Sequence, residues 1–287
     1  MVIVPLRGGL GNQMFQYAFG RYLSVVRNDT LVLNTENLPL AATPRHFGLN
    51  MFQIVGECLE SNVILERLHN SILYTITEIG FGQFDVSALE KEALNIAAIG
   101  YWQSEKYFRN ISSLIRAEFT FKPDLQFDEL ESPLNEILNT ESVCVHVRRS
   151  DVLKDGDPMG ELGIDYYKRA VRLVLERVCN PNFFVFSDDI EWCKENLDLG
   201  ISLNFISDND FEISTYSDFY LMSHCRHFII ANSTYSWWGA WLGRSAHKLI
   251  IAPRGWFLAE RLGPTSKTSA TDDLSSGCLI PSEWIRI

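Results

Sequence analysis

Val143-Cys144-Val145-His146-Val147-Arg148-Arg149-Ser150-Asp151 is the stretch on which the reading of this chain turns. Its first five residues are β-prone, contain no breaker and follow a polar segment, so they predict a buried strand. The strand runs out into two arginines, a serine and an aspartate. A guanidinium at the end of a buried strand is costly unless it meets an anion, and in an open α/β sheet that end faces the ligand crevice. Guanidinium groups are planar, always charged and bidentate, which suits phosphate oxygens. Arg148 is therefore expected to hold a phosphate-bearing ligand. Arg149, one residue on, points to the other side of the strand's end, where a salt bridge holding the loop is the simpler reading.

Working outward, strands and helices alternate after Val143. Helix is expected from Asp165, as its cap, to Arg177. Strands are expected at Asn182–Ser187, Leu203–Ser207, His227–Ala231 and Lys248–Ala252, with helices at Glu191–Asn196, up to Cys225, and Thr234–Ala246. With the first, these make five strands of a doubly wound parallel sheet. Upstream, Val2–Leu6 reads as a strand, Arg7–Asn12 as a glycine turn, Gln13–Val26 as a helix and Thr30–Asn34 as a strand, another βαβ opening. Asn12 is read either as that helix's cap or as a ligand contact. The middle is less regular: helices at Ser61–Asn70, Ala88–Leu94 and Glu105–Arg116, a strand at Ile96–Trp102, and a connecting helix and linker at Asp128–Asn139.

At 287 residues the chain fits two domains better than one. A formal charge of −11 argues against nucleic acid or an anionic membrane as partner. No apolar run approaches about 18 residues, and the opening Met1–Leu6 does not resemble a signal peptide, so a cytoplasmic protein is expected. Six scattered cysteines without C-x-x-C predict reduced, buried thiols rather than a disulfide framework or zinc site.

Polar residues gather where strands of the second half end: Arg148 to Asp151, Ser187 to Asp189, and Asn232 to Ser236. Parallel strands put those ends on one edge. Arginine, hydroxyls and a helix N-terminus can hold a diphosphate. The Asp188 carboxylate can accept from the exocyclic amine and ring N–H of guanine, although Asp188 and Ser233 could also simply cap helices. Asp208-Asn-Asp210 and Asp155-Gly-Asp157 match the D-x-D of metal-dependent nucleotide-sugar transferases, a pattern short enough to arise by chance in an acidic chain. Trp237, Trp238 and Trp241 read as core rather than a sugar platform. His224 and His227 read as structural. At the first turn, Met14 stands where the dinucleotide fingerprint needs glycine, which disfavours an NAD-dependent oxidoreductase.

Three segments together resemble the α-1,2-fucosyltransferases of glycosyltransferase family 11, the bacterial ones in particular. They are Gly8-Gly-Leu-Gly-Asn-Gln-Met-Phe-Gln-Tyr-Ala18, His146-Val-Arg-Arg-Ser-Asp151, and Phe186-Ser-Asp-Asp189 with Ala231-Asn-Ser-Thr-Tyr-Ser-Trp-Trp-Gly239. The resemblance implies an α/β fold of GT-B type, two Rossmann-like domains with a cleft between them. Residues 1–140 would form an acceptor-side domain, 141–265 a GDP-fucose-binding domain, and 266–287 a tail packing back on the body. It implies inverting transfer of L-fucose from GDP-fucose to the 2-hydroxyl of a terminal β-galactoside, on a glycan that can be lipid-linked, with no cofactor and no metal. The enzyme would be cytoplasmic or peripheral at the inner membrane. By position, Arg148, Asp151 and Asn12 would be catalytic, with Asp151 and Glu161 both candidates for the base that takes the acceptor's proton. His146, Arg148, Asp188, Ser233, Thr234 and Ser236 would bind the donor, and Gln13 and Glu161 the acceptor. The loop before Asp165-Tyr-Tyr167 departs from the family pattern, which bears on acceptor identity. The alternatives are a metal-dependent transferase using Asp208 and Asp210 and a non-catalytic sugar-binding protein.

Overall fold

A computed structural model describes residues 1–40, 45–69, 71–78, 95–125, 128–149, 161–206, 214–256 and 279–287. The chain divides into two compact units, Met1–Leu125 and Gln126–Ile287. Each is built on a wholly parallel sheet, the Rossmann-like arrangement expected.

In the first unit, β1 (Val2–Pro5), β2 (Leu31–Asn34), β3 (Glu57–Cys58), β4 (Leu73–Thr77) and β5 (Asn95–Ile99) lie in the order β3-β2-β1-β5-β4. The central strands are buried runs of Val, Ile, Leu and Ala, as a sheet covered on both faces requires. Helix α1 (Leu10–Arg27) packs on β1 at Gly20, where an added Cβ would lie 2.4 Å from Val4 Cγ2. Helix α2 (Ser61–Leu68) buries Ile64 and Leu68 against Ile3 and Val32. The Tyr17 hydroxyl donates to Glu118 Oε2 at 2.6 Å and accepts the Val55 N–H at 2.9 Å, tying α1 to the end of α3 (Ser112–Glu118).

In the second unit, α4 (Glu131–Asn139) leads into β6 (Glu141–Val147). Then come α5 (Ile164–Leu175), β7 (Pro181–Ser187), α6 (Ile190–Asn196), β8 (Leu203–Phe205), α7 (Ser214–His224), β9 (His227–Ile229), α8 (Thr234–Leu242), β10 (Ile250–Ala252) and β11 (Ile285–Arg286). The sheet order is β11-β10-β9-β6-β7-β8.

Several expected elements differ, each for a local reason. The helix expected over 105–116 is two 3₁₀ turns followed by α3. The helix breaks at Phe108, φ −131°, where the buried Tyr107 packs its ring on Phe19 and reaches Glu78 with its hydroxyl. Asn12 and Asp165 are not caps. Gly9 and Gly163 hold those positions, which puts each side chain in the first turn. Helix α8 stops at Leu242, short of Ala246. A Cβ on Gly243 would meet Phe228 Cζ at 2.5 Å, and Lys248 Nζ closes the helix end by donating to the carbonyls of Ala240, Trp241 and Gly243. The division at 125/126 falls before α4, not after it as the expected boundary at 140/141 has it. Helix α4 packs on β6 and α7, buries Ile137, and bonds to the second sheet through Glu136 and Asn182. The tryptophans of α8 are core: Trp237 and Trp238 are fully buried, and Trp237 Nε1 donates to the Leu279 carbonyl. Cys144, Cys193 and Cys225 are buried thiols as expected, but Cys58 and Cys179 are exposed. The helix expected at 88–94 and Cys278 lie outside the described residues.

The contact at Gly20 sets the spacing of α1 from β1. Gly20→Ala should force apart a strand and helix that are both buried, lowering stability by about 1–3 kcal/mol despite alanine's better helix propensity. A denaturant melt checks this, and an unchanged midpoint would refute it.

Candidate functional site

In the second sheet the chain winds outward from β6 through β7 to β8, then returns to the other side of β6 for β9, β10 and β11. This is the Rossmann strand order, and the winding reverses between β6 and β9. At a reversal the connections leave in opposite directions and open a crevice at the carboxyl ends. Val147 pairs with Ser187, and Val145 with Ile229, so the residues just beyond β6, β7 and β9 emerge side by side. They are Arg148, Asp188 and Asn232 to Thr234.

Arg148 is half-buried, and its Nη1 donates across the reversal to the Asn232 carbonyl at 3.4 Å. Ser233 occupies the N-cap of α8 but makes no side-chain capping bond, and Thr234 opens the helix. The positive end of α8 therefore lies on the same edge as Arg148, an arrangement that favours an anion. His146 is buried at the end of β6, with its ring 5.8 Å from that of Tyr235. Ser236 is wholly buried and donates to the Ser233 carbonyl at 3.3 Å, so its hydroxyl braces the turn from behind. Helix α5 is pinned over this edge by two tyrosines. Tyr166 donates to the Ile230 carbonyl at 2.7 Å and Tyr167 to the His146 carbonyl at 3.2 Å. Burial pushes both phenols well above their ordinary pKa, so they remain donors.

Arg149 has a different fate. Its Nη1 pairs with Glu161 and its Nε with Asp189 at 3.3 Å, while its guanidinium carbon sits 3.5 Å from the Trp192 ring centroid. Its backbone N–H donates to Asp188 Oδ1 at 2.8 Å. The exposed Asp188 carboxylate thus fixes the backbone immediately after Arg148. Asp189, not Asp188, caps α6 by accepting from the Trp192 N–H at 3.3 Å.

In the first sheet β1 and β5 are neighbours although far apart in sequence, so their carboxyl ends emerge side by side. The chain leaves β1 through Gly8, at φ +74°, where a Cβ would lie 2.5 Å from Asn12 Nδ2. Glycine is required there on both counts. Gln13 is buried and donates to the carbonyls of Gly8 and His46 while accepting the Gly48 N–H. Both its N–H groups are thereby spent on holding the chain at His46–Gly48. Asn12 Oδ1 accepts from Gln103 Nε2 at 2.8 Å, which bridges the chain beyond β1 to the chain beyond β5. Just beyond β4, Glu78 Oε2 accepts the N–H groups of Tyr101 and Trp102 at 2.9 and 3.0 Å, and the Tyr107 hydroxyl reaches Oε1 at 3.3 Å.

The structure thus gathers His146, Arg148, Asp188, Ser233 and Thr234 at one sheet edge, with Ser236 beneath and Glu161 joined through Arg149. Asn12 and Gln13 belong to the first unit. Asp151, Asp155, Asp157, Asp208 and Asp210 lie outside the described residues. Sequence reasoning did not find Trp192, Glu78 or Gln103. Trp192 follows the Asp188-Asp189 pair by one helical turn, the one signal that marks it. Among the described residues no group of three or more His, Cys, Asp or Glu is placed to hold a metal, and no helix is long and apolar enough to cross a membrane.

Comparison with known proteins follows the same lines. The family model described as glycosyl transferase family 11 matches residues 1–270. An α-1,2-colitosyltransferase of Escherichia coli is 33% identical over all of this chain and 99% of its own length. A galactoside α-(1,2)-fucosyltransferase 1 of Leontocebus fuscicollis is 32% identical over 50% of this chain and 42% of its own. Among solved structures, the α-1,6-fucosyltransferase NodZ soaked with GDP-fucose covers 84% of this chain and 91% of its own. Its TM-score of 0.55 at 14% identity is a likeness of fold alone.

Burial raises Glu78 above the ordinary 4.5, outweighing the two backbone N–H bonds that favour its ionised form. The folded chain then holds that proton more tightly than the unfolded chain does. The stability this supplies is complete below pH 4.5 and is lost as the pH climbs through the folded value. Glu78→Gln removes the titration. Its melting temperature relative to the native protein should rise as the pH is taken from 4.5 to neutrality. A difference that does not vary with pH would contradict this account.

Proposed function

The chain belongs to glycosyltransferase family 11, and from that premise we propose that it transfers L-fucose from GDP-fucose to the 2-hydroxyl of a terminal β-galactoside. The observation that carries the reading is Arg148 at the reversal of the second sheet, beside the N-terminus of α8. In this reading the second unit binds the donor and the first faces the acceptor. The diphosphate lies between the Arg148 guanidinium and the Ser233-Thr234 turn, and Asp188 accepts from guanine while keeping its bond to the Arg149 N–H.

Departure of GDP develops negative charge on the β-phosphate. Arg148 and the helix N-terminus stabilise it without a divalent metal, because fixed donors need no reorganisation when the charge appears. The sugar gains oxocarbenium character, and the acceptor hydroxyl attacks the opposite face, which inverts the anomeric carbon. Asp151 takes the hydroxyl proton late in the step. Glu161, engaged by Arg149, shapes the acceptor loop instead. The enzyme works in the cytosol, and at the inner membrane when its acceptor is lipid-linked.

The full-length likeness to a colitosyltransferase favours a second reading, in which the donor carries colitose. A colitosyl group is a fucosyl group without its 3-hydroxyl. A site that hydrogen-bonds that hydroxyl rejects the analogue by about 10⁴–10⁵, whereas an apolar contact there discriminates only weakly. GDP-fucose, GDP-colitose and a panel of UDP-sugars should be compared by nucleotide release and by transfer to a β-galactoside. GDP-fucose should be consumed fastest, and at full rate in EDTA. Preference for GDP-colitose moves the assignment to the second reading. Loss in EDTA with rescue by manganese moves it to Asp208 and Asp210. Nucleotide-sugar binding with neither release nor transfer leaves a sugar-binding protein.

The two arginines separate chemistry from scaffolding. Arg148→Lys keeps the charge but loses the planar fork, so turnover should fall by about 10²–10³ with a smaller loss of GDP affinity. Arg149→Lys loses the fork that engages Glu161 and Asp189 together and the planar stack on Trp192, so its melting temperature should fall at least as clearly as its turnover. Single-turnover rates and melts of both variants decide. An Arg148→Lys protein that is folded, donor-saturated and within a few-fold of native turnover would remove Arg148 from the leaving-group step.

A further inference from the structure

The first sheet carries a strained turn at the carboxyl end of β5. Beyond β5 the chain runs Gly100-Tyr-Trp-Gln103, and Trp102 adopts φ +57°, a left-handed conformation that a bulky residue rarely takes. The surroundings force it. Glu78 accepts two successive N–H groups of the turn, and the fully buried Trp102 ring stacks on Phe19 with centroids 4.0 Å apart and meets Tyr107 edge-on at 5.4 Å. Even the glycine is needed, since a Cβ on Gly100 would lie 2.7 Å from Glu78 Cβ. Backbone strain of this kind persists where the surrounding structure over-determines it, and it gathers at ligand sites.

The turn carries Tyr101 and Gln103 at the carboxyl end of β5. Gln103 is 5% exposed, and its Nε2 is committed to Asn12. Among the described residues none donates to its Oε1, so a buried amide is left with acceptor capacity. Tyr101, on the same turn, is 45% exposed. An oriented amide together with an exposed aromatic ring is what a pyranose needs. The amide accepts from a hydroxyl, and the ring takes the C–H face of the sugar. Galactose has a continuous C–H face because its 4-hydroxyl is axial.

We infer that the turn Gly100–Gln103 is a carbohydrate-recognition element, in which Gln103 bonds a ring hydroxyl of the acceptor sugar and Tyr101 covers its C–H face. Glu78 is a positioning residue that acts through the turn. The inference deepens the transferase reading, and it rests on that reading only in naming the sugar as the acceptor.

The test uses the whole protein with GDP and a panel of methyl glycosides, methyl β-D-galactopyranoside among them. Saturation-transfer NMR reads binding, and melting temperature and GDP affinity are measured beside it. Tyr101→Ala and Gln103→Leu should each weaken glycoside binding roughly tenfold or more, about what loss of one good contact costs. Tyr101→Phe should retain it, and GDP affinity should not move. Should Gln103→Leu fail to fold, Tyr101→Ala alone decides. Variants that bind the glycoside within twofold of the native protein overturn the inference, as does a native protein that binds no member of the panel. If another glycoside binds in place of galactoside and the variants lose it, the recognition element stands and the galactoside assignment falls.

Discussion

A parallel sheet delivers every strand's carboxyl end to one edge. Everything else in this protein depends on how the central strand pairs, β1 with β5 and β6 with β9, are bridged at that edge. Each is spanned by a hydrogen bond between residues that follow neighbouring strands. Gln103 donates to Asn12 in the first sheet, and Arg148 to the Asn232 carbonyl in the second. The carboxyl ends of the strands are where an open α/β sheet binds its ligands. The Gln103 amide keeps its oxygen as an acceptor, and Arg148 brings a planar five-donor fork to its bridge.

The winding itself was legible because buried parallel strands are continuous apolar runs and the helices between them are periodic. Val2–Pro5 and Glu141–Val147 could hardly be read otherwise. What was lost follows from how little some elements bury. β4 has one buried side chain, Ile76, while β3 and β11 are two residues each and gain their identity from a neighbour's backbone. No local pattern announces a strand of that kind. The broken helix at Glu105–Ile111 failed for the opposite reason. Its helix-like spacing is real, but tertiary demand for Tyr107 beside Glu78 and Phe19 overrides it.

The candidate site divides along the same line. The place of Arg148, Asp188 and Ser233 on one sheet edge could be read from sequence because Arg148 and Asp188 directly follow readable strands and Ser233 comes shortly after one. Glu78, Gln103 and Trp192 could not. Their meaning lies in contacts with residues far away or on another element: Glu78 with Trp102, Gln103 with Asn12, Trp192 with Arg149. A carboxylate after a short edge strand looks like any surface glutamate until its oxygen is found holding a left-handed tryptophan in place.

The adjacency of Arg148 and Arg149 then has a physical explanation. Side chains of successive extended residues leave on opposite sides, so one arginine can face the crevice only if the other faces the flank. On the flank a bare guanidinium would be poorly solvated, and Glu161, Asp189 and the Trp192 ring answer it. Those contacts neutralise Arg149 and at the same time stiffen the backbone that carries Arg148, a stiffening completed by Asp188 at the Arg149 N–H. This lets a protein with a net charge of −11 keep a preorganised cationic point for an anionic ligand. The field that matters is local, set by one oriented guanidinium and one helix terminus, and the acidic surface elsewhere is screened within about 10 Å at ordinary ionic strength.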